Sequence, residues 1–578
     1  MRKLFLVTAF WVLLLFPFTV SSTFSETVAV NSQAGKGLEP VLQYIHSDWD
    51  VLTRSMTRCD SIVDPKLPED AVLYLPQDFS EPDSVKKLET ECKVHVERLP
   101  AVIHRPGEID VSKIHPHGLL FLPNSYVVPG GRFNEMYGWD SYFIVLGLLK
   151  DNRIDLARGM IDNFLFEIEH YGTVLNANRT YYLTRSQPPF LTSMIVALRA
   201  VEEKSGHDDK EWLAHAYEVA AHDYQNWIHE PHLAGTTGLS RYYDFGRGPA
   251  PESVQDETGV HRKVAAYFAS HPSLGQRYLV EQNTSTQAST GGAGAPYTIQ
   301  ACDAATTIEH PGCDTGGVVR LSDDYYTGDR SMRESGFDIS FRFGPYGAAT
   351  HHYAPVCLNS LLYKTEKDLE EISRELGKPA DTGKWKLRAE QRKILINRYL
   401  WDSQRGLFFD YNFVSGTRST YEYVTTFYPL WAGLATPEQA KAVHQNLKIF
   451  ERPGGLVTST VETGGQWDSP YGWAPLELLG VEGLRKYGFN ADADRVSYKF
   501  LATVAENFQR EGTIREKYDV VTQSSEAHVT AGYKMNVVGF GWTNAVFLQF
   551  LSEIPQPMVE RLAAEEDIRS SGVSAQKP

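Results

Sequence analysis

The chain has 578 residues, enough for several small cores or for one barrel-type unit. An apolar fraction of 42% and a charged fraction of 22% are those of a globular protein, which excludes a disordered or fibrous chain. A formal net charge of −16 repels nucleic acid and anionic lipid, so neither is an expected partner, although acidity alone does not select a neutral ligand.

Arg2 and Lys3 precede an apolar run from Leu4 to Val20 and then Ser21, Ser22 and Thr23. Residues 1–22 read as a secretory signal peptide, with an uncleaved anchor as the alternative because the run approaches the lower limit for a membrane span. The expectation is a periplasmic or secreted protein that is free of the membrane once cleaved, and a monomer. Export permits disulfides, with Cys302–Cys313 the first expected pair, Cys59–Cys92 a second, and Cys357 a buried thiol. No cysteine or histidine spacing has the pattern of a metal site, and no metal or cofactor is expected.

Further along, Leu213, Ala216, Tyr217, Ala220, Tyr224 and Trp227 recur at helical spacing. Residues from about 254 to 325 read as an insertion carrying a low-complexity tract. Leu362, Leu369, Ile372 and Leu376 predict a helix closed by Gly377, and Gly406–Tyr411 predicts a short strand. Thr436-Pro437-Glu438-Gln439 carries a capping hydroxyl, a first-turn proline and a capping-box glutamine. Val496, Phe500, Val504 and Phe508 mark another helix, and residues 556–578 read as a flexible tail. Many amphipathic helices without a βαβ rhythm indicate an all-α domain over about 40–555.

Between the helices lie loops rich in chemistry. Pro129–Tyr142 gathers Arg132, Phe133, Glu135, Tyr137, Trp139 and Asp140 after two glycines. Gly464–Pro475 repeats the mixture with Trp467, Asp468 and Trp473. Aromatic faces with guanidinium and carboxylate groups suit a polyhydroxylated ligand; aromatic packing around a structural turn is the plainer alternative. Both passages match the two motifs that identify trehalases, and the chain is identified as a member of that glycoside hydrolase family by resemblance.

The resemblance implies a six-fold α/α barrel of inner and outer helices and inverting hydrolysis of α,α-trehalose to glucose without a cofactor. Inversion needs one carboxyl group as acid and a second as base, on opposite faces of the sugar. Asp338 in Arg333–Arg342 resembles the segment bearing the acid, with Gly336 allowing close approach to the sugar; an Asp338–Arg342 ion pair is the structural alternative. The base is expected in a glycine-rich loop before Gly539-Phe-Gly-Trp542, but the aligned position falls at Gly532 or Tyr533. Glu526 is the carboxylate left inside that loop and the expected base, with a water-positioning Tyr533 as the alternative. Expected substrate contacts are Arg132, Phe133, Tyr137, Trp139, Asp140, Asn176, Arg185, Gln187, Arg247, Glu252, Gly336, Trp467, Asp468 and Glu516. Arg247 enters because Ala250 stands where the bacterial pattern has arginine. Two rivals remain: hydrolysis of another α-glucoside, and a sugar-binding protein that has lost its base.

Overall fold

The structure is a computed structural model that describes residues 37–63, 71–256, 259–281, 298–300, 302, 307–308, 310–313, 318–533 and 535–570. The N-terminal apolar run lies outside the described residues. Among them, no helix is long and apolar enough to cross a membrane.

Six helices form an inner ring: α1 (Asp140–Lys150), α2 (Leu191–Lys204), α3 (Val356–Glu375), α4 (Tyr428–Trp431), α5 (Ala474–Lys486) and α6 (Gly541–Glu553). Each packs on the next, and α6 closes back onto α1. Of these, α1 and α6 are apolar nearly all round, as burial on every side demands: in α6, Trp542, Val546, Phe547 and Phe550 are all buried. Gly147 of α1 faces Ala545 of α6, where a Cβ would lie 2.6 Å from the alanine Cβ, so the absent side chain sets the approach of the two helices.

The outer layer is more amphipathic. Ile154–Tyr171, Lys210–Trp227, Pro379–Tyr399, Pro437–Gln445 and Asn490–Glu511 each follow an inner helix, and Glu39–Leu52 packs on α6. This is the expected all-α, six-fold α/α barrel. The Thr436 capping box forms as the sequence predicts: Thr436 Oγ1 accepts from Gln439 N at 3.2 Å and Gln439 Oε1 from Thr436 N at 2.9 Å. Gly377 ends α3 at φ +68°. The expected tail instead begins with a helix, Gln556–Ser570, which packs on Asn490–Glu511 and buries Leu562.

Two features decorate the barrel. A parallel sheet of Val72–Leu75, His95–Arg98 and Leu119–Leu120 was not legible in the sequence. The insertion holds helices Val260–Ser270 and Pro272–Tyr278 and a three-stranded sheet around a small core of Phe268, Tyr278, Ile299 and Val319. Both expected disulfides are present, Cys59–Cys92 and Cys302–Cys313, and Cys357 is a buried free thiol.

Candidate active site

The loops at one mouth of the ring are tied to one another by backbone bridges: Gly130 with Phe540, Tyr137 with Ala177, and Gly465 with Ala531. Strand Tyr471–Trp473, which ends the second motif, pairs antiparallel with Lys517–Asp519. Segments far apart in the chain therefore surround one cavity of about 850 Å³, within the range that holds a small ligand.

Arg132, Phe133, Tyr137, Trp139, Asp140, Asn176, Arg185, Gln187, Glu252, Gly336, Asp338, Trp467 and Glu516 all line it. Trp139 is central, with Trp467 and Trp542 at 5.7 and 5.9 Å between ring centroids; Trp467 in turn stacks on Trp473 at 3.7 Å. Ring packing and an aromatic cavity wall thus coexist, the tryptophans being nearly buried by one another. Gln187 Oε1 accepts from Trp139 N at 2.9 Å, fixing the first motif against the loop after Asn176. Arg185 donates to Asn176 Oδ1 and pairs with Glu252.

Asp338 follows helix Asp323–Glu334 after a sharp turn at Gly336, where φ is +77° and a Cβ would meet Trp139 at 3.0 Å. Gln466 donates to the Asp338 carbonyl, and Trp467 N donates to that of Ile339 at 3.3 Å. Arg342 does not pair with Asp338. It pairs with Asp410 through two hydrogen bonds of 2.7 and 2.6 Å, and its Nη1 donates to Cys357 Sγ at 3.5 Å.

Three expectations fail. Glu526 does not line the cavity: its side chain is exposed, and the chain from Ser524 turns it outward. Glu516, from the strand entry before that loop, lines the cavity instead. It is 3% exposed, its carbonyl accepts from Trp542 Nε1 at 3.0 Å, and Lys517 Nζ lies 2.8 Å from its Oε2. Arg247 is exposed on its loop; Arg333 lines the cavity instead, 4.0 Å from Asp338 and close enough to steady the Glu252 charge. Asp468 is buried behind the wall, where it accepts from Phe341 N, Thr463, Tyr421 and Ser340. It braces the loop that carries Asp338 and does not line the cavity.

The sequence reading also missed Arg179, Tyr181, Tyr182, Phe540 and Trp542 as lining residues. Arg179 pairs with Glu135 at 2.6 Å, a buried ion pair that the quoted motif hinted at only through Glu135. Burial, then the charges of Glu516 and Asp338, holds the Asp140 carboxyl well above the usual carboxylate range. The Tyr533 phenol is likewise pushed up by burial and by Asp338 and Glu516, so it stays a proton donor. Its ring lies under the Arg132 guanidinium at 5.3 Å.

The family model for trehalase matches residues 31–274 and 320–555, leaving out the heart of the insertion. The chain belongs to the trehalase family. A probable trehalase of Eremothecium gossypii is 35% identical over 92% of this chain and 75% of that protein. A cytosolic neutral trehalase of Saccharomyces cerevisiae is 35% identical over 86% of this chain and 69% of its own length. The solved neutral trehalase Nth1 of the same yeast superposes with a TM-score of 0.71 at 32% identity, covering 93% of this chain and 96% of that one. These names overturn the expected periplasmic or secreted location. Relatives from Saccharomyces cerevisiae, Emericella nidulans and Neurospora crassa are named cytosolic, and they give the signal reading no support.

Proposed function

We propose that this trehalase-family chain hydrolyses α,α-trehalose to two glucose molecules with inversion, Asp338 acting as acid and Glu516 as base. The observation that carries the reading is the pair of carboxyl groups, brought from separate loops to one aromatic cavity. Asp338 delivers its proton to the glycosidic oxygen as the C1–O bond breaks. A water attacks C1 from the opposite face and passes its proton to Glu516. Lys517 occupies Glu516 Oε2 and leaves Oε1 for that water.

The sugar rings lie against Trp139, Trp467, Phe133 and Tyr137, while Arg132, Asn176, Arg185, Gln187, Glu252 and Arg333 meet the hydroxyls. Arg333 supplies the guanidinium that Ala250 lacks, which weakens the case for a different α-glucoside. Glu516 weakens the case for a protein without a base. Proton NMR of the purified protein with trehalose tests the reading: α- and β-glucose appear in equal initial amounts. Release of α-glucose alone, or faster cleavage of another α-glucoside, overturns it.

A further inference from the structure

We propose that Asp324, His351 and His352 form a transition-metal site of the zinc class, separate from the sugar cavity. Asp324 Oδ1 lies 2.9 Å from His351 Nε2 and 3.7 Å from His352 Nε2, and one donor atom from each residue lies within 4.8 Å of the other two. Metal–ligand bonds of about 2.0–2.1 Å place tetrahedral donors about 3.3–3.4 Å apart, so both Asp324–histidine distances lie within about 0.5 Å of the separation a metal would set. Two imidazoles and one carboxylate suit Zn²⁺ or Co²⁺ and not Ca²⁺ or Mg²⁺, which take oxygen donors.

The donors are held in place. His351 and His352 occupy the short helical turn Thr350–His352, and their rings lie 3.9 Å apart between centroids. Arg241 Nη1 donates to the His351 carbonyl at 2.8 Å, and Phe413 N donates to that of His352 at 3.1 Å. Asp324 sits in the first turn of helix Asp323–Glu334, which Ser322 caps. Both histidines are nearly buried, and His351 Nδ1 has no hydrogen-bond partner among the described residues.

A cation already leans on this cluster. Arg277, from the insertion, places Nε 2.5 Å from Asp324 Oδ2 and Nη2 3.0 Å from His352 Nε2. A guanidinium only donates, so His352 Nε2 presents the lone pair that a metal requires. His351 Nε2 instead donates to the carboxylate; metal binding there transfers that proton to the unpartnered Nδ1. Arg277 is half exposed and swings aside, so it competes with the metal. Nine residues along the helix separate Asp324 from Arg333, a rise of about 13–14 Å, so the ion would anchor structure without touching substrate.

Titration of the chelator-treated full chain with Co²⁺, read by visible absorption and reversed by Zn²⁺, tests the site. We expect one saturable equivalent. His352→Ala and Asp324→Ala should each weaken binding by at least about tenfold, and Arg277→Gln should tighten it. Arg277→Gln changes a half-exposed side chain and keeps the test alive if a ligand variant fails to fold. No saturable binding by either the wild type or Arg277→Gln overturns the proposal, as does binding that His352→Ala and Arg277→Gln leave unchanged.

Discussion

Replacing Asp468 by alanine separates a brace from a substrate ligand. Its carboxylate, fully buried, collects Phe341 N at 2.9 Å, Thr463 Oγ1 at 2.7 Å, Tyr421 Oη at 2.9 Å and the buried Ser340 Oγ at 3.2 Å. Truncation leaves four donors without an acceptor, at about 1 kcal/mol each after partial re-pairing, or ~4 kcal/mol in all. Two of them belong to Ser340 and Phe341, two and three residues beyond the proposed acid. A displacement of Asp338 by about 1 Å costs on the order of 10²-fold in rate. Asp468→Ala should therefore lower kcat by about that factor while KM for trehalose changes by less than about threefold. Asp468→Asn keeps the shape and the acceptor for Phe341 N, and should recover most of both stability and kcat. Steady-state kinetics with thermal melts of the two variants decide. A raised KM with kcat intact in either variant would refute the reasoning and return Asp468 to the ligand wall.

Gly336→Ala should cost about 1–2 kcal/mol of stability for its left-handed backbone, and should lower kcat as the new methyl presses on Trp139; an unchanged kcat would contradict the geometry. Arg333→Leu should raise KM for trehalose by roughly tenfold or more, the value of one lost charge-assisted hydrogen bond to a hydroxyl, as read from initial rates. Glu482 is pushed up to about 8 by burial and then by the Glu553 charge. It therefore stays protonated in the folded state while the unfolded chain has ionised. The stability it contributes is present below the unfolded value of 4.5 and is lost as pH rises toward 8, by at most about 1.4 kcal/mol per pH unit. The stability advantage of Glu482→Gln over the wild type should therefore widen from pH 5 to pH 8 in denaturant melts, and a constant difference would sink this assignment.

The barrel was legible because its determinants are local. Thr436 to Gln439 and the α3 repeat ending at Gly377 announce their helices within a few residues. The cavity wall was legible for the same reason: Arg132 to Asp140 are packed into one turn and the helix start that follows it. The proposed catalytic pairing was not, because it rests on contacts between distant loops. Glu516 was foreseen as a substrate contact but not as the base; it is held at the cavity through the register of Lys517–Asp519 against Tyr471–Trp473, which no local spacing reveals. Counting back from Gly539 to find a base assumed that the carboxylate rides on the loop, and so selected Glu526, which the loop turns outward. Arg333 hid for a similar reason. It lies on a helix turn beside the acid segment, and only folding brings it against Glu252. The parallel sheet at Val72–Leu75 was missed because its strands are short and two of them carry little apolar alternation.

The central assignment is the identity of the base, and one kinetic comparison addresses it: kcat on trehalose for Glu516→Gln beside Glu526→Gln, each variant shown folded by its melt. The account predicts a loss of about 10²–10⁴-fold for Glu516→Gln and wild-type turnover for Glu526→Gln. Full activity in Glu516→Gln, or a comparable collapse in Glu526→Gln, would contradict it.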